Sequence, residues 1–332
     1  MAHSKISTRY VSCDLCGSED QRVLYTKTDV ITGQDFTLVE CGCGMAFVNP
    51  MPTDESIPGL YPPDYLKDKH ESHTLYDRML ELLPAASSGR LLDIGCGQGD
   101  FIARAQAMGW RVEGVDLLRW NDPQPVPIHV GDFLAMELPE DHFDVVTAWA
   151  LLEHVPRPSL FFRKISRLLK HEGVFIFTVP NFAAPGMKTS CTEDVPRHLQ
   201  LFSEKSVRRH LSAVGLELLA TYHTDRLYTS YPFGLVRHAL YRLGGRRETL
   251  CSKYENKAVS LLKNRQFKGN ARMWLKEVAA ALGPKDMAID LVDLVVGVAV
   301  ANISKLMKNY GVMTVISRKS RQKKSNPYEE DC

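Results

Sequence analysis

Short apolar runs recur through the middle of the chain at Leu91–Ile94, Arg111–Val115, Pro127–Val130, Phe143–Trp149 and Gly173–Val179, and each reads as a strand. Segments of helical period lie between them at 99–108 and 159–170. Strands alternating with helices predict right-handed crossovers and a parallel sheet. Ligands of such sheets sit at the carboxyl ends of the strands. Further on, Phe202-Ser203 opens a helix with Ser203 as N-cap and Ser206 at N3, which stops at Gly215. Leu216–Thr224 reads as a sixth strand, Met287–Met307 as a strongly apolar helix, and Val312–Lys319 as a last strand.

The first strand breaks into Asp93-Ile94-Gly95-Cys96-Gly97-Gln98-Gly99-Asp100. Gly95, Gly97 and Gly99 remove Cβ where the backbone must turn sharply and approach a ligand, and the helix that follows offers its N-terminal N–H groups. The dinucleotide spacing G-x-G-x-x-G would need a small residue at Asp100, so a different ligand is indicated. The second strand ends in Asp116, an acceptor suited to two vicinal ribose hydroxyls. The third strand is followed by Gly131-Asp132-Phe133, where an acid can take an adenine amino group and a ring can cover the base. The fourth ends at Ala148-Trp149 and runs into Glu153-His154.

The spacing D-x-G-x-G-x-G, with this order of later motifs, resembles the class I S-adenosylmethionine (AdoMet) dependent methyltransferases. The resemblance implies a Rossmann-like α/β fold of seven strands with an antiparallel last strand. It also implies a cofactor site of Asp93, Gly95, Gly97, Gly99, Asp116, Asp132, Phe133, Ala148 and Trp149.

Composition narrows the picture only a little. With 44% hydrophobic and 24% charged residues the chain is of ordinary globular type, and a formal charge of +2 selects no partner. The first residues lack an apolar signal region, so a cytoplasmic location is expected. Eight cysteines in such a chain do not suggest a disulfide framework. Four of them cluster as Cys13-x2-Cys16 and Cys41-x-Cys43, each pair followed by a glycine. Two thiolate knuckles of this kind suit a tetrahedral, structural Zn²⁺ with no open position. Metal binding would also help a module of about 45 residues to fold.

A ribbon of this type, then Phe47-Val48-Asn49-Pro50, then Tyr61-Pro62-Pro63-Asp64-Tyr65, then the AdoMet domain, resembles a bacterial family of zinc-ribbon-bearing class I methyltransferases. Many of its members belong to sugar, surface-polysaccharide or natural-product pathways. The layout expected is a zinc ribbon at 1–48, a proline-rich linker and lead-in at 49–73 and an AdoMet-binding core at 74–224. A helical insertion at 225–311, the last core strand at 312–319 and a disordered tail at 320–332 complete it.

The insertion carries ten cations against two acids between Arg237 and Arg272. That surplus leaves open a phosphorylated substrate, RNA, a solvated face, or peripheral contact with the inner membrane through 237–307. The apolar helix, interrupted by Asp290, Asp293 and Lys305, falls short of a membrane span. No feature fixes the oligomeric state.

Two histidines are candidate general bases: His154, just past the fourth strand, and His198 in Arg197-His198-Leu199. The latter segment is similar to one that many small-molecule methyltransferases place over the active-site mouth. Ubiquinone-type O-methyltransferases carry a similar Glu-His with another acid four residues earlier, whereas Trp149 and Ala150 precede Leu151-Leu152-Glu153 here, so a catalytic metal is not expected. The leading expectation is a methyltransferase acting on oxygen of a small-molecule or glycan-type acceptor, with nucleic acid disfavoured. An RNA methyltransferase and a non-enzymatic binding protein are the alternatives. The Asn/Asp-Pro-Pro-aromatic tetrad that receives a nucleobase amino group is absent after the fourth strand, which weighs against the first alternative.

Overall fold

The computed structural model of the chain describes residues 5–29, 31–61, 73–85, 88–120, 123–188, 194–224, 227–228, 235–236, 239 and 287–320. Most of the expected insertion, including the body of its basic run, lies outside these residues, as do 62–72 of the lead-in and the tail beyond 320.

A seven-stranded sheet forms the body. Its strands in chain order are β6 (Arg90–Ile94), β7 (Arg111–Asp116), β8 (Ile128–Val130), β9 (Phe143–Trp149), β10 (Leu169–Pro180), β12 (Leu216–Tyr222) and β13 (Val312–Lys319). In space they run β12-β13-β10-β9-β6-β7-β8. Neighbours from β10 through β8 are parallel, and β13 is antiparallel to both β10 and β12. This is a Rossmann-like sheet with its last strand reversed, as the resemblance implies. The chain leaves β6 towards β7 and β8, then returns to build β9 and β10 on the other side. The crevice at the carboxyl ends of β6 and β9 is therefore the topological switch point.

The helices, the first of them α1 (His73–Leu80), follow from their apolar spacing. On α3 (Pro158–Leu168), Phe161, Phe162, Ile165 and Leu168 are buried on one side. The Phe162 ring meets Phe175 and Phe177 of β10 edge-on, at centroid distances of 5.9 and 5.5 Å. α4 (Glu204–Ala213) starts with the expected capping box between Ser203 and Ser206, and Gly215 ends the turn after it at φ +72°. α2 (Asp100–Ala107) packs on β7 at Gly114, where a Cβ would lie 2.6 Å from Cys96 Sγ and 2.9 Å from Ile102 Cδ1. Beyond the sixth strand, α5 (Met287–Leu306) leads into β13. No helix among the described residues is long and apolar enough to cross a membrane.

The N-terminal residues form a second sheet of β2 (Gln21–Thr28), β3 (Asp35–Cys41) and β4 (Ala46–Val48). Its fourth strand, β11 (Gln200–Leu201), is donated by the loop between β10 and α4, with Gln200 paired to Phe47 and Leu201 to Ala46. The two sheets also share one continuous apolar core in which Phe36, Leu38 and Phe47 join Leu199, Phe202 and Val207. Asp14, between the first two cysteines, caps α3 from outside: its carboxylate accepts from Ser159 N at 2.7 Å and Ser159 Oγ at 2.8 Å. β1 (Thr8–Arg9) pairs with β5 (Met51–Pro52). The expected extended lead-in thus carries β5 and a 3-10 turn at Ile57–Leu60 within residues 49–61, and it buries Met51 and Leu60.

His210 of α4 lies 2% exposed and stacks on Phe162 at 4.8 Å. Burial lowers its pKa from 6.5 to about 4. The unfolded chain therefore binds this proton near pH 6.5 while the folded chain resists it. The stabilisation is full above pH 6.5 and is lost as pH falls through 4, up to about 3 kcal/mol for this one group. Denaturant unfolding of the wild type and His210→Phe across this range should show the slope reduced in the variant. Equal slopes would contradict the assignment.

Candidate active site

The turn from β6 into α2 is built from three residues in the left-handed region: Gly95 at φ +76°, Gly97 at +59° and Gly99 at +92°. Gly95 N and Cys96 N donate to Val115 O at 2.8 and 3.1 Å, which holds the loop against the end of β7. Gly97 N donates to Asp116 Oδ2 at 2.8 Å, and Asp116 Oδ1 accepts from Leu118 N at 2.9 Å. The expected ribose acceptor is thus fixed beside the glycine loop. A Cβ on Gly97 would meet nothing closer than Trp120 at 4.0 Å, so the loop presents open backbone there.

Asp93 is buried and accepts from Thr147 Oγ1 at 2.6 Å, tying β6 to β9 below the loop. Burial, then the charges of Asp93 and Asp116, push the Cys96 thiol far above its usual range, consistent with a filler role. Asp132 is exposed beyond β8, whose Val130 pairs with Asp116, and its carboxylate accepts from Leu134 N at 2.9 Å. Trp149 turns an edge to Phe101 at 5.3 Å.

Asp93, the three glycines, Asp116, Asp132 and Trp149 therefore gather at the carboxyl ends of β6 to β9. Phe133 and Ala148 do not open into that crevice in the same way. Phe133 is buried against Phe161 at 5.2 Å with Lys164 over its ring, and Ala148 is fully buried within β9. Two indole nitrogens, Trp120 Nε1 and Trp149 Nε1, are buried without a hydrogen-bond partner. Open glycine backbone, a fixed carboxylate and two unsatisfied donors fit the adenosine and methionine ends of AdoMet.

After β9 the chain passes through Ala150 at φ +47°, whose N–H donates to Thr178 O at 3.1 Å, into a 3-10 turn at Leu152–His154. A non-glycine residue here stores backbone strain of the kind found at functional sites. Leu151 packs on the glycine loop: its Cδ1 would be 3.1 Å from a Cβ on Gly95. The two candidate histidines, far apart in sequence, meet ring to ring at 5.0 Å. With Glu153 they bring three side-chain ligand atoms within 4.8 Å of one another.

His154 Nδ1 lies 3.1 Å from Arg197 O and 3.2 Å from Tyr61 Oη. Arg197 reaches Asp194 at 2.6 Å and Asp29 at 3.0 Å. Burial alone would raise the Asp194 carboxyl, but the Arg197 hydrogen bond and charge hold it far below the usual carboxylate range. Burial, with the Asp194 charge nearby, pushes the Tyr61 phenol above its usual value. Sequence reasoning missed Asp29 and Tyr61 here. The tyrosine stood in a recognised motif, but nothing local marks the aspartate.

The four clustered cysteines converge. Cys13 Sγ lies 3.6 Å from Cys43 Sγ and Cys16 Sγ 3.5 Å from Cys41 Sγ, all four within 4.8 Å. Zinc–sulfur bonds of about 2.3 Å in a tetrahedron separate the sulfurs by about 3.8 Å, so the set has nearly that size. Each pair closes a knuckle on a glycine of positive φ: Gly17 N donates to Cys13 O and Gly44 N to Cys41 O, both at 2.8 Å.

Residues 68–221 match the family model described as a methyltransferase domain. The chain is 27% identical over 179 residues to a probable S-adenosylmethionine-dependent methyltransferase of Mycolicibacterium smegmatis, covering 51% of this chain and 66% of that protein. It is 32% identical over 130 residues to the ubiquinone biosynthesis O-methyltransferase of Pseudomonas putida, covering 35% and 54%. The chain thus spans between about half and just under two thirds of these relatives' own length. Among solved structures, the Haemonchus contortus phosphoethanolamine N-methyltransferase 2 is similar with a TM-score of 0.41 at 17% identity, over 74% of this chain and 52% of that one. The Burkholderia thailandensis 1,6-didemethyltoxoflavin-N1-methyltransferase gives 0.38 at 15%, over 70% and 72%. Residues 68–221 thus form a methyltransferase domain, and the relatives support an AdoMet-dependent enzyme.

Proposed function

We propose that the chain transfers the methyl group of AdoMet to an oxygen of a small molecule, a sugar, glycolipid or related metabolite, with His154 as general base and His198 orienting the acceptor. The observation that carries this reading is the meeting of His198 with Glu153 and His154 of the turn that follows Leu151, whose side chain covers the glycine loop. The O-methyltransferase among the relatives supports oxygen as the accepting atom.

Bound AdoMet supplies a sulfonium methyl that needs no further activation. The residues of the chain must therefore hold the acceptor in line and remove its proton. Gly95, Gly97 and Gly99 would let the cofactor lie against backbone, Asp116 would take the ribose hydroxyls, and Asp132 would take the adenine amino group. Positioning of this kind can supply roughly 7 to 11 kcal/mol. His154 would accept the hydroxyl proton as the oxygen–methyl bond forms and the methyl–sulfur bond breaks, and the neighbouring His198 ring would fix the acceptor's approach. Cys13, Cys16, Cys41 and Cys43 hold one structural Zn²⁺.

Two outcomes are expected. In calorimetry, Asp116→Ala weakens AdoMet binding by about 1 to 3 kcal/mol, and in single-turnover transfer His154→Gln slows the rate by roughly 10² to 10⁴ with AdoMet affinity intact. Unchanged affinity in the first variant, or undiminished transfer in the second, would sink the corresponding role. Elemental analysis of protein purified without chelator should find near one zinc per chain. Cys16→Ser should lose the zinc and keep AdoMet binding, and metal-free wild-type protein would refute the site.

A further inference from the structure

We infer that the N-terminal cysteine module is a wall of the active site, and that its Asp29 is a positioning residue that sets the tautomer of His154. This rests on the reading of His154 as the base. Asp29 stands at the turn of the β2–β3 hairpin and is 1% exposed. Its Oδ2 accepts from Thr32 N at 2.9 Å and Thr32 Oγ1 at 2.8 Å, closing the β2–β3 turn, which leaves Oδ1 for Arg197 Nη1 at 3.0 Å. The Arg197 side chain, itself buried, also donates to Asp194 Oδ1 at 2.6 Å and to Leu60 O at 3.3 Å. A guanidinium bonded on three sides cannot turn, so its own backbone is fixed.

The carbonyl oxygen of Arg197 is the atom 3.1 Å from His154 Nδ1. A carbonyl can only accept, whereas the Tyr61 hydroxyl, 3.2 Å from the same nitrogen, can accept or donate, so the arrangement that suits both partners puts the imidazole hydrogen on Nδ1 and the lone pair on Nε2. That is the form in which a histidine held by its Nδ1 accepts a proton at Nε2. The same thread of chain is clamped from both sides: His198 N donates to Asp194 O at 2.7 Å, Leu199 N to Glu153 O at 2.8 Å, and Val48 N of β4 to Leu199 O at 2.9 Å. Lys27, buried on the same module, adds its charge to those of Arg197 and His198 near Asp194. A carboxylate on the cysteine module thereby biases, through one buried arginine, which nitrogen of the base carries the proton.

The test uses the full-length protein labelled with ¹⁵N-histidine and saturated with S-adenosylhomocysteine, above the histidine titration, with His154→Gln to assign the signal. The wild type should show His154 as the Nδ1–H tautomer. Asp29→Asn should raise the Nε2–H fraction by about two- to tenfold, the span of one neutral hydrogen bond, while AdoMet affinity measured by calorimetry stays unchanged. Should Asp29→Asn fail to fold, Thr32→Ala loosens the same carboxylate without removing its charge and should shift the tautomer in the same direction. An Nε2–H tautomer in the wild type, or an unmoved tautomer in a folded variant, overturns the inference. These spectra need no acceptor. The His154→Gln turnover measurement, by contrast, decides the base assignment itself.

Discussion

A guanidinium taken out of water is tolerable only when paired, and the rest of this structure is arranged around one such group. Arg197 has its charge met by Asp194 three residues earlier in its own loop and by Asp29, 168 residues away on the cysteine module. Removing one partner of a buried pair typically costs about 3 to 5 kcal/mol, because the remaining charge is stranded. The pair is therefore better read as a device that fixes geometry than as a source of net stability. It fixes where residues 194–199 run, and so where both histidines stand.

The cysteine module and the methyltransferase core are joined by more than this contact. A three-stranded antiparallel sheet of so few residues buries little apolar surface alone, and here it gains β11 from the core and a common set of buried side chains. The knuckle itself is used structurally, since Asp14 between two cysteines caps the helix that packs on β10. Sulfur chemistry at one end of the module and an ion pair at the other thus hold the same sheet against the same core. The loop carrying His198 is trapped between them.

Features written in short stretches of sequence were legible. Three alternating glycines at a strand end, a carboxylate closing the next strand, the Ser203–Ser206 capping box and two cysteine knuckles each depend on residues a few positions apart. The structure brings the parts of each together. What was not legible depends on long-range placement. No periodicity marks Asp29 as the partner of an arginine 168 residues away, and Tyr61 sat in a proline-rich stretch that reads as a connector. The meeting of His154 with His198 required knowing that β11 crosses to the other sheet. Phe133 shows the same limit from the other side: its position was legible, but the direction of its ring, into the core beside Phe161, was set by packing on α3.

If Arg197 binds module and core into one cooperative unit, native-state hydrogen exchange on the full-length protein reads it directly. The amides to follow are Cys41, bonded to Met45 O within the module; Val48, bonded to Leu199 O across the junction; Leu199, bonded to Glu153 O; and Ser159, bonded to Asp14. All four should exchange through a single opening of common free energy, and Asp29→Asn should accelerate them together. Exchange of Cys41 and Val48 through an opening that leaves Leu199 and Ser159 protected would mean that the module comes away as a separate unit, and would contradict it.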